Sequence, residues 1–500
     1  MKSFKPTLQL IAMAVMVSLS SKAGSADSTL LFSPSPTSRG LDARSGPSQG
    51  NPIELNSAAF EPGAVQPGNT LLMEPLPGTF FTVIVEKIVT DVNGTLSWKG
   101  QVQGYPNAFF LLSYSDGQAL GSIEFPDEGK RYFIRYDAAL QQHVAQDALP
   151  AEWKELEDSP SLIPPALNLQ SLVTQSPPTP TGPTTIDVMI VYTPNAKTWA
   201  NTSGGGINNV IAQAMSRGQQ TMDNTAVPVT LRLIHSAEVS YTESGNSNTD
   251  LNRLTNPSDG YMDNVHTLRS TYGADLVALF TQIEDTGGLG WLLDLTTGRP
   301  THAFSISRVQ QVASGYTTIH ELGHNMGCHH RRNQSTQPGP GLYSYSAGWH
   351  WTGVNNGKYA SVMSYEDGGY SRVAYWSSPT NKYMGVATGS VNDDNARTIQ
   401  NIKNVIAAYK SAPAAAFTFR AVALTNNVIL RWTNPTNCGI TSPYVYIVTH
   451  ASRYPTNTSD GTPIYYGTNQ VYEHTGLPSN QTNYYTIWVS NDGFNFVDPP

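Results

Sequence analysis

The sequence predicts a multidomain chain. An α/β unit, built on a mostly parallel twisted sheet with helices, is flanked by an all-β block before it and a β-sandwich after it. Three observations predict this. At 500 residues the chain is long enough for several cores. Two stretches dense in Pro, Ser, Thr or Ala, "DSPSLIPPALNLQSLVTQSPPTPTGPTT" and "SAPAAA", interrupt its periodic segments. Between them strand-like and helix-like runs alternate, as a parallel sheet with crossover helices requires.

The chain opens on "MKSFKPTLQLIAMAVMVSLSSKAGSA". Lys2 and Lys5 precede an apolar run from Leu8 to Leu19 and then small residues, Ser21, Ala23, Gly24 and Ala26. Residues 1–26 read as a secretory signal peptide, with an apolar run too short to span a bilayer. The mature protein is expected to be soluble and extracellular. Residues from about 27 to 68 look loop-like, broken by "FSPSPTSRG" and "RSGPSQGNP". The β-block follows. It has one hairpin signal at Asn93-Gly94, a second at Asp116-Gly117 and a further strand in "KRYFIRYD". It ends near residue 150. Prolines in the first interruption favour an extended, exposed chain that a protease cuts readily.

The α/β unit covers 185–412. "TIDVMIVYTP" is a near-continuous apolar run, as strands buried on both faces have. Ile207, Val210, Ile211, Ala214 and Met215 then recur at helical spacing. "VPVTLRLIHSAEV" and "ADLVALFTQ" are further strands, with a helix in "GYMDNVHTLRSTYG" between them. A last helix in "NARTIQNIKNVIAAYK" carries Ile399, Ile402, Ile406 and Tyr409 on one face. Residues 413–500 return to short strands separated by turns, the pattern of a small sandwich. This segment resembles a fibronectin type III module through Trp432 in "LRWTNP" and through "GLPSNQTNYYTIWV". There Leu477 precedes a corner tyrosine, Tyr484 or Tyr485, at a spacing one residue off the usual one.

Composition narrows the function. Charged residues are 13% of the chain and the net charge is −8. There is no long basic run, so nucleic acid is not an expected partner. No segment after the signal peptide is apolar enough to cross a membrane. Two cysteines, Cys328 and Cys438, allow one bridge at most.

"HELGHNMGCHH", residues 320–330, concentrates the chemistry. The spacing predicts a helix over 317–327 with Ile319, Leu322 and Met326 on its buried face. His320 and His324, four apart, share another face and can reach one metal ion. Zinc accepts imidazole nitrogens and leaves a position for water in catalytic sites. Glu321 points beside the pair, where a carboxylate can take a proton from an activated water. Gly327 supplies the turn that ends the helix and returns the chain. The spacing H-E-x-x-H-x-x-G-x-x-H then makes His330 the third ligand. His329 is its nearest rival, and Cys328 is a soft ligand by chemistry, read instead as packing or as a disulfide partner. Glu321 also fits a capping box with Thr318, which would make it structural. That box does not account for the histidines.

These residues resemble the metzincin zinc endopeptidases, most closely the reprolysin (adamalysin) type, over residues 185–412. The resemblance implies one catalytic zinc ion on His320, His324 and His330, with Glu321 as the proton-transfer group. It implies that Met363 in "YASVMSYED" forms a methionine turn packed beneath the imidazoles without coordinating. Tyr365 would approach the zinc or steady the oxyanion, as in astacin-like relatives. "LGWLLDL", at Gly290 and Trp291, would be the edge strand that pairs with extended substrate, and 366–378 the wall of the main specificity pocket. Arg372 within that wall could select acidic side chains, as in peptidyl-Asp metallopeptidases, or lie on the surface. Arg331 departs from the type, which has Asp after the third histidine.

By position, and by the linker at 161–184, residues 27–160 read as a pro-domain; a permanent accessory domain is the alternative. This block has no cysteine, so latency cannot rest on a thiolate capping the metal. It must come from steric cover or another ligand. The expected function is a secreted zinc endopeptidase made as a precursor and acting on proteins or peptides. Its histidines must be neutral to bind, so activity should fall below about pH 6. The C-terminal module would contact a surface or the substrate. One rival is an extracellular binding or adhesion protein with a non-catalytic zinc site. A second is a zinc hydrolase of a non-protein amide.

Overall fold

The computed structural model describes residues 29–35, 50–61, 63–150, 153–166, 182–410, 419–423, 426–432, 444–455, 458–478 and 482–490. The expected signal peptide and Cys438 lie outside them. Among the described residues no helix is long and apolar enough to cross a membrane.

The N-terminal block is a nine-stranded closed barrel. Its strands are β1 (Thr29–Pro34), β2 (Asn51–Leu55), β3 (Thr70–Leu76), β4 (Thr79–Thr90), β5 (Leu96–Val102), β6 (Phe109–Ser115), β7 (Gln118–Phe125), β8 (Lys130–Asp137) and β9 (Gln142–Gln146). The order is β1-β2-β9-β8-β7-β6-β5-β4-β3, with the parallel β1–β3 pair closing the ring. The β6–β7 hairpin turns on Asp116 at φ 53° and Gly117 at φ 78°. Both lie in the left-handed region, where asparagine, aspartate and glycine are the tolerated residues. The expectation of a loop over 27–68 is corrected by β1 and β2. Each is too short to show periodicity, but Leu31, Phe32 and Ile53 are buried in the barrel core. Pairing with distant β3 and β9, not local pattern, makes them strands.

The α/β unit contains β10 (Thr184–Tyr192), β11 (Val229–Glu238), β12 (Leu276–Thr281), β13 (Gly288–Gly290) and β14 (Phe304–Arg308) in the order β11-β10-β12-β14-β13. The first four are parallel, and β13 is an antiparallel edge. Alternate residues of β10 serve opposite faces, as the pleat dictates. Ile186, Val188 and Ile190 pack beneath α2 (Ile207–Asn224), α6 (Thr317–Asn325) and α7 (Asn395–Ile406). Met189 and Val191 join the core under α3 (Ser247–Thr255) and α4 (Asn264–Tyr272). Two further helices, α1 (Pro194–Thr202) and the short α5 (Val309–Val312), complete the unit. Helix α4 stops at Gly273, φ 75°, in the left-handed cap that glycine favours.

The barrel sits on α2. Gln213 donates to Ser113 Oγ and to the Leu120 carbonyl, each at 3.0 Å. Arg217, buried, bonds Glu124 at 2.6 Å and Ser122 at 3.0 Å. In the C-terminal region two three-stranded antiparallel sheets share a small core of Leu430, Trp432, Val445, Ile447 and Tyr485.

Candidate active site

Helix α6 is anchored by Ile319, Leu322 and Met326, all buried in the main core. Its N-terminus is Tyr316 with no side-chain cap, so the Thr318–Glu321 box does not form. Its far end closes with Gly327 at φ 80° and a Cys328 N–H donating back to the Gly323 carbonyl at 2.9 Å. This turn swings His330 back over the helix. Met363 lies underneath: a Cβ on Gly323 would come within 2.5 Å of its sulfur. Glycine at 323 is therefore what lets the methionine turn approach the helix.

His320, His324 and His330 are all fully buried. Each Nδ1 is held by a backbone carbonyl: Val362 at 2.8 Å, Cys328 at 3.1 Å and Gln337 at 3.1 Å, respectively. Each Nδ1 therefore carries the proton, and the three Nε2 lone pairs face one another. His330 Nε2 lies 3.2 Å from that of His320 and 3.1 Å from that of His324. Three lone pairs so arranged repel unless a cation sits among them. Zinc–nitrogen bonds of about 2.0–2.1 Å in a tetrahedron separate the nitrogens by about 3.3 Å. The donor set fits such an ion. Burial pushes all three imidazole pKa values well below the ordinary range. The rings thus stay neutral and able to ligate further into acid than free histidine.

Glu321 is fully buried, and neither carboxylate oxygen has a hydrogen-bond partner among the described residues. Burial first, and then the neighbouring Asp158 carboxylate, push its pKa well up. A carboxylate left unpartnered beside an ion-binding triad is placed to receive a proton. Strand β13 passes against it. A Cβ at Gly288 would lie 2.6 Å from Glu321 Oε1, and one at Gly290 2.9 Å from its carbonyl. The two glycines set this close approach. Asn325 locks helix to edge by donating to the Trp291 and Phe304 carbonyls at 2.9 and 3.1 Å.

The cleft along β13 is filled by residues 157–162 of the chain's own N-terminal half. Ser159 N–H donates to the Gly288 carbonyl and Leu162 N–H to that of Gly290, both at 2.9 Å. In return the Glu157 carbonyl accepts from Gly287 at 2.9 Å and that of Leu162 from Leu292 at 2.8 Å. The strap runs parallel to β13. Asp158 points inward to Arg372, with Nη1 2.8 Å from Oδ2, and lies 3.7 Å from His320 Nδ1. Burial pushes the Asp158 pKa up even against Arg372. Tyr365 donates its hydroxyl to the Asp158 carbonyl at 2.6 Å, and its ring lies 4.8 Å from that of His330.

The structure therefore brings together His320, Glu321, His324, His330, Met363, Tyr365 and Gly290, with Trp291 just beyond the edge strand. His329 is set aside: its Nδ1 accepts the His330 N–H at 2.7 Å. Cys328 is buried and has no disulfide partner among the described residues; it faces the Asn395 carbonyl. Arg331 is spent on Asp367 at 2.5 Å. Arg372 is not on the surface; its side chain is 5% exposed. Sequence reasoning missed Asp158 and β14. Asp158 lies in a Pro- and Ser-rich stretch read as exposed linker. The extended conformation is present, but Asp158 and Ser161 are buried because β13 supplies the missing backbone partners.

The Metallo-peptidase family M12 model matches residues 182–377. The chain is 31% identical to a peptidyl-Asp metalloendopeptidase of Stenotrophomonas maltophilia strain R551-3, over 62% of this chain and 72% of the relative. A protein of the same description from Xanthomonas campestris pv. campestris is 28% identical over 70% and 84%. Metalloproteinase-II of Bacteroides fragilis, a solved structure, is 10% identical and covers 66% of this chain and 90% of its own, with a TM-score of 0.38, too slight a likeness to bear on the fold. With a relative of 31% identity covered over 72% of its length, and the Metallo-peptidase family M12 model matching the α/β unit, the chain belongs to the family of these metalloendopeptidases, which act on protein or peptide substrates.

Proposed function

We propose that this protein is a secreted zinc endopeptidase of metzincin type, made as a precursor. The observation that carries the reading is the convergence of three proton-free Nε2 atoms beside the unpartnered carboxylate of Glu321, along an edge strand. His320, His324 and His330 would hold the ion, which supplies Lewis acidity to the scissile carbonyl and to a water. An extended peptide would pair with the backbone of Gly288–Gly290 once the strap has left. Glu321 takes the proton of the attacking water and passes it to the leaving amine. Its raised pKa suits that exchange. The Tyr365 hydroxyl, freed from the Asp158 carbonyl, would donate to a substrate or product oxygen. The two relatives' shared description carries over as a preference for bonds at aspartyl residues. On this reading residues 27–160 are the pro-domain. The fibronectin type III-like C-terminal module would contact a surface or the substrate.

The test is hydrolysis of casein and of aspartyl peptides by the full chain before and after limited proteolysis, with chelator and with zinc restored. Hydrolysis that chelation abolishes and zinc restores supports the reading. A folded, zinc-loaded, processed chain that cuts no peptide contradicts it and favours a binding protein.

A further inference from the structure

We propose that Arg372 forms the floor of a pocket for one acidic side chain of a bound peptide, and that Asp158 is its internal occupant, keeping the precursor shut. The inference rests on the peptidase reading and deepens it.

Arg372 is oriented by its own neighbourhood. Its Nε donates to the Ser364 carbonyl at 2.9 Å, and its backbone N–H donates to Glu366 Oε1 at 2.6 Å. This leaves the outer guanidinium nitrogens to face the cleft. Nη1 meets Asp158 there, and the Arg372 side chain is 5% and that of Asp158 0% exposed. A guanidinium so buried without a counter-ion is costly. When the strap leaves, the pocket therefore selects another carboxylate.

The choice of aspartate at 158 is itself informative. Filling the cleft for stability alone would favour an uncharged side chain. Here a carboxylate is placed beside the Glu321 carboxylate, with its Oδ1 unpartnered. It is packed so closely that a Cβ on Gly287 would lie 2.7 Å from it. Like charges at close quarters make this a poor structural contact, yet the Arg372 pairing makes it a good ligand. The backbone bonds of residues 157–162 add it to β13 as a further strand, the manner in which extended peptides bind sheet edges. A tether to the docked barrel raises its local concentration. A cut in the linker beyond residue 166 leaves the strap joined to the barrel, so opening the site requires loss of the N-terminal fragment.

The experiment uses the full chain with its linker intact, as wild type and as Asp158→Ala, on fluorogenic peptides that differ only in Asp or Asn at one position. Asp158→Ala should cut the Asp peptide at least tenfold faster than wild type and at least tenfold faster than the Asn peptide. In the Asp158→Ala background, Arg372→Gln should raise KM for the Asp peptide more than it lowers kcat and erase the preference. Arg372→Lys should keep part of it. Should the Arg372 variants misfold, the synthetic octapeptide of residues 155–162 provides a second measurement on native Arg372. It should inhibit the Asp158→Ala chain at least tenfold better than the same peptide carrying Asp158→Asn. Equal rates for wild type and Asp158→Ala, equal cutting of Asp and Asn peptides, or equal inhibition by the two octapeptides overturns the inference while leaving the peptidase reading intact. A folded, metal-loaded Asp158→Ala chain that cuts neither peptide, before or after proteolysis, overturns both.

Discussion

Two buried ion pairs join the N-terminal half of this chain to its α/β unit, and they are built differently. At the barrel contact Arg217 meets Glu124 at 2.6 Å. Both Glu124 oxygens are engaged, by Arg217, Ser122 and Arg131. Burial would raise its pKa, but Arg131 and Arg217 outweigh it and bring the carboxyl down to about 2. In the cleft Arg372 meets Asp158 at 2.8 Å. There burial wins, the pKa rises, and one oxygen has no partner among the described residues. Arg217 Nη1 also lacks a partner among the described residues, so the difference lies in the carboxylates. One with both oxygens engaged fixes one domain on another, whereas one with an unengaged oxygen, beside a second unpartnered carboxylate, is a contact made to be exchanged. The first belongs to architecture and the second to the site.

The comparison can be broken in three ways. The largest effect is expected from Arg217→Leu, which leaves Glu124 buried with only the 2.7 Å bond from Ser122 and the 3.4 Å contact to Arg131. Removing one partner of a buried pair costs about 3–5 kcal/mol, so thermal unfolding of the full chain should fall sharply. A variant as stable as wild type would show that the barrel contact does not depend on this pair. The second effect is in acid. A carboxylate with a lowered folded pKa contributes stability above its unfolded value of 4.5, and that contribution is lost as pH falls towards about 2. Wild-type stability should therefore decline below about pH 4.5 more steeply than that of Glu124→Gln. Parallel curves would contradict the assignment. The smallest effect is expected from Arg331→Ala. Its partner Asp367 has a side chain 42% exposed, and such pairs contribute about 0–1 kcal/mol. A larger loss would mean that the residue least like the reprolysin type does more than hold a surface loop.

The fold was legible where periodicity is strong. Strands β10, β11 and β12 and helices α2, α4, α6 and α7 follow from apolar runs and helical spacing. Strands β1, β2 and β14 did not, since they depend on partners far away in the chain. Within the site, the positions of His320, Glu321, His324 and His330 could be read from one eleven-residue stretch, because a helix and a glycine turn fix their geometry locally. Met363, Tyr365, Gly290 and Trp291 came only through family resemblance. Asp158 gave no local signal: it lies 163 positions before Glu321, in a segment whose composition reads as linker. Gly287, Gly288 and Gly290 carried a hint, since glycines in a short strand often mark the close approach of other groups.

The central claim is that Glu321 transfers the proton beside an ion held by His320, His324 and His330. Metal content and peptide hydrolysis measured together on the processed Glu321→Ala chain test it most directly. The account predicts one ion retained per chain and hydrolysis reduced by about 10²–10⁴-fold, the range for losing a general base. Full hydrolysis with the ion retained and the fold intact would contradict it.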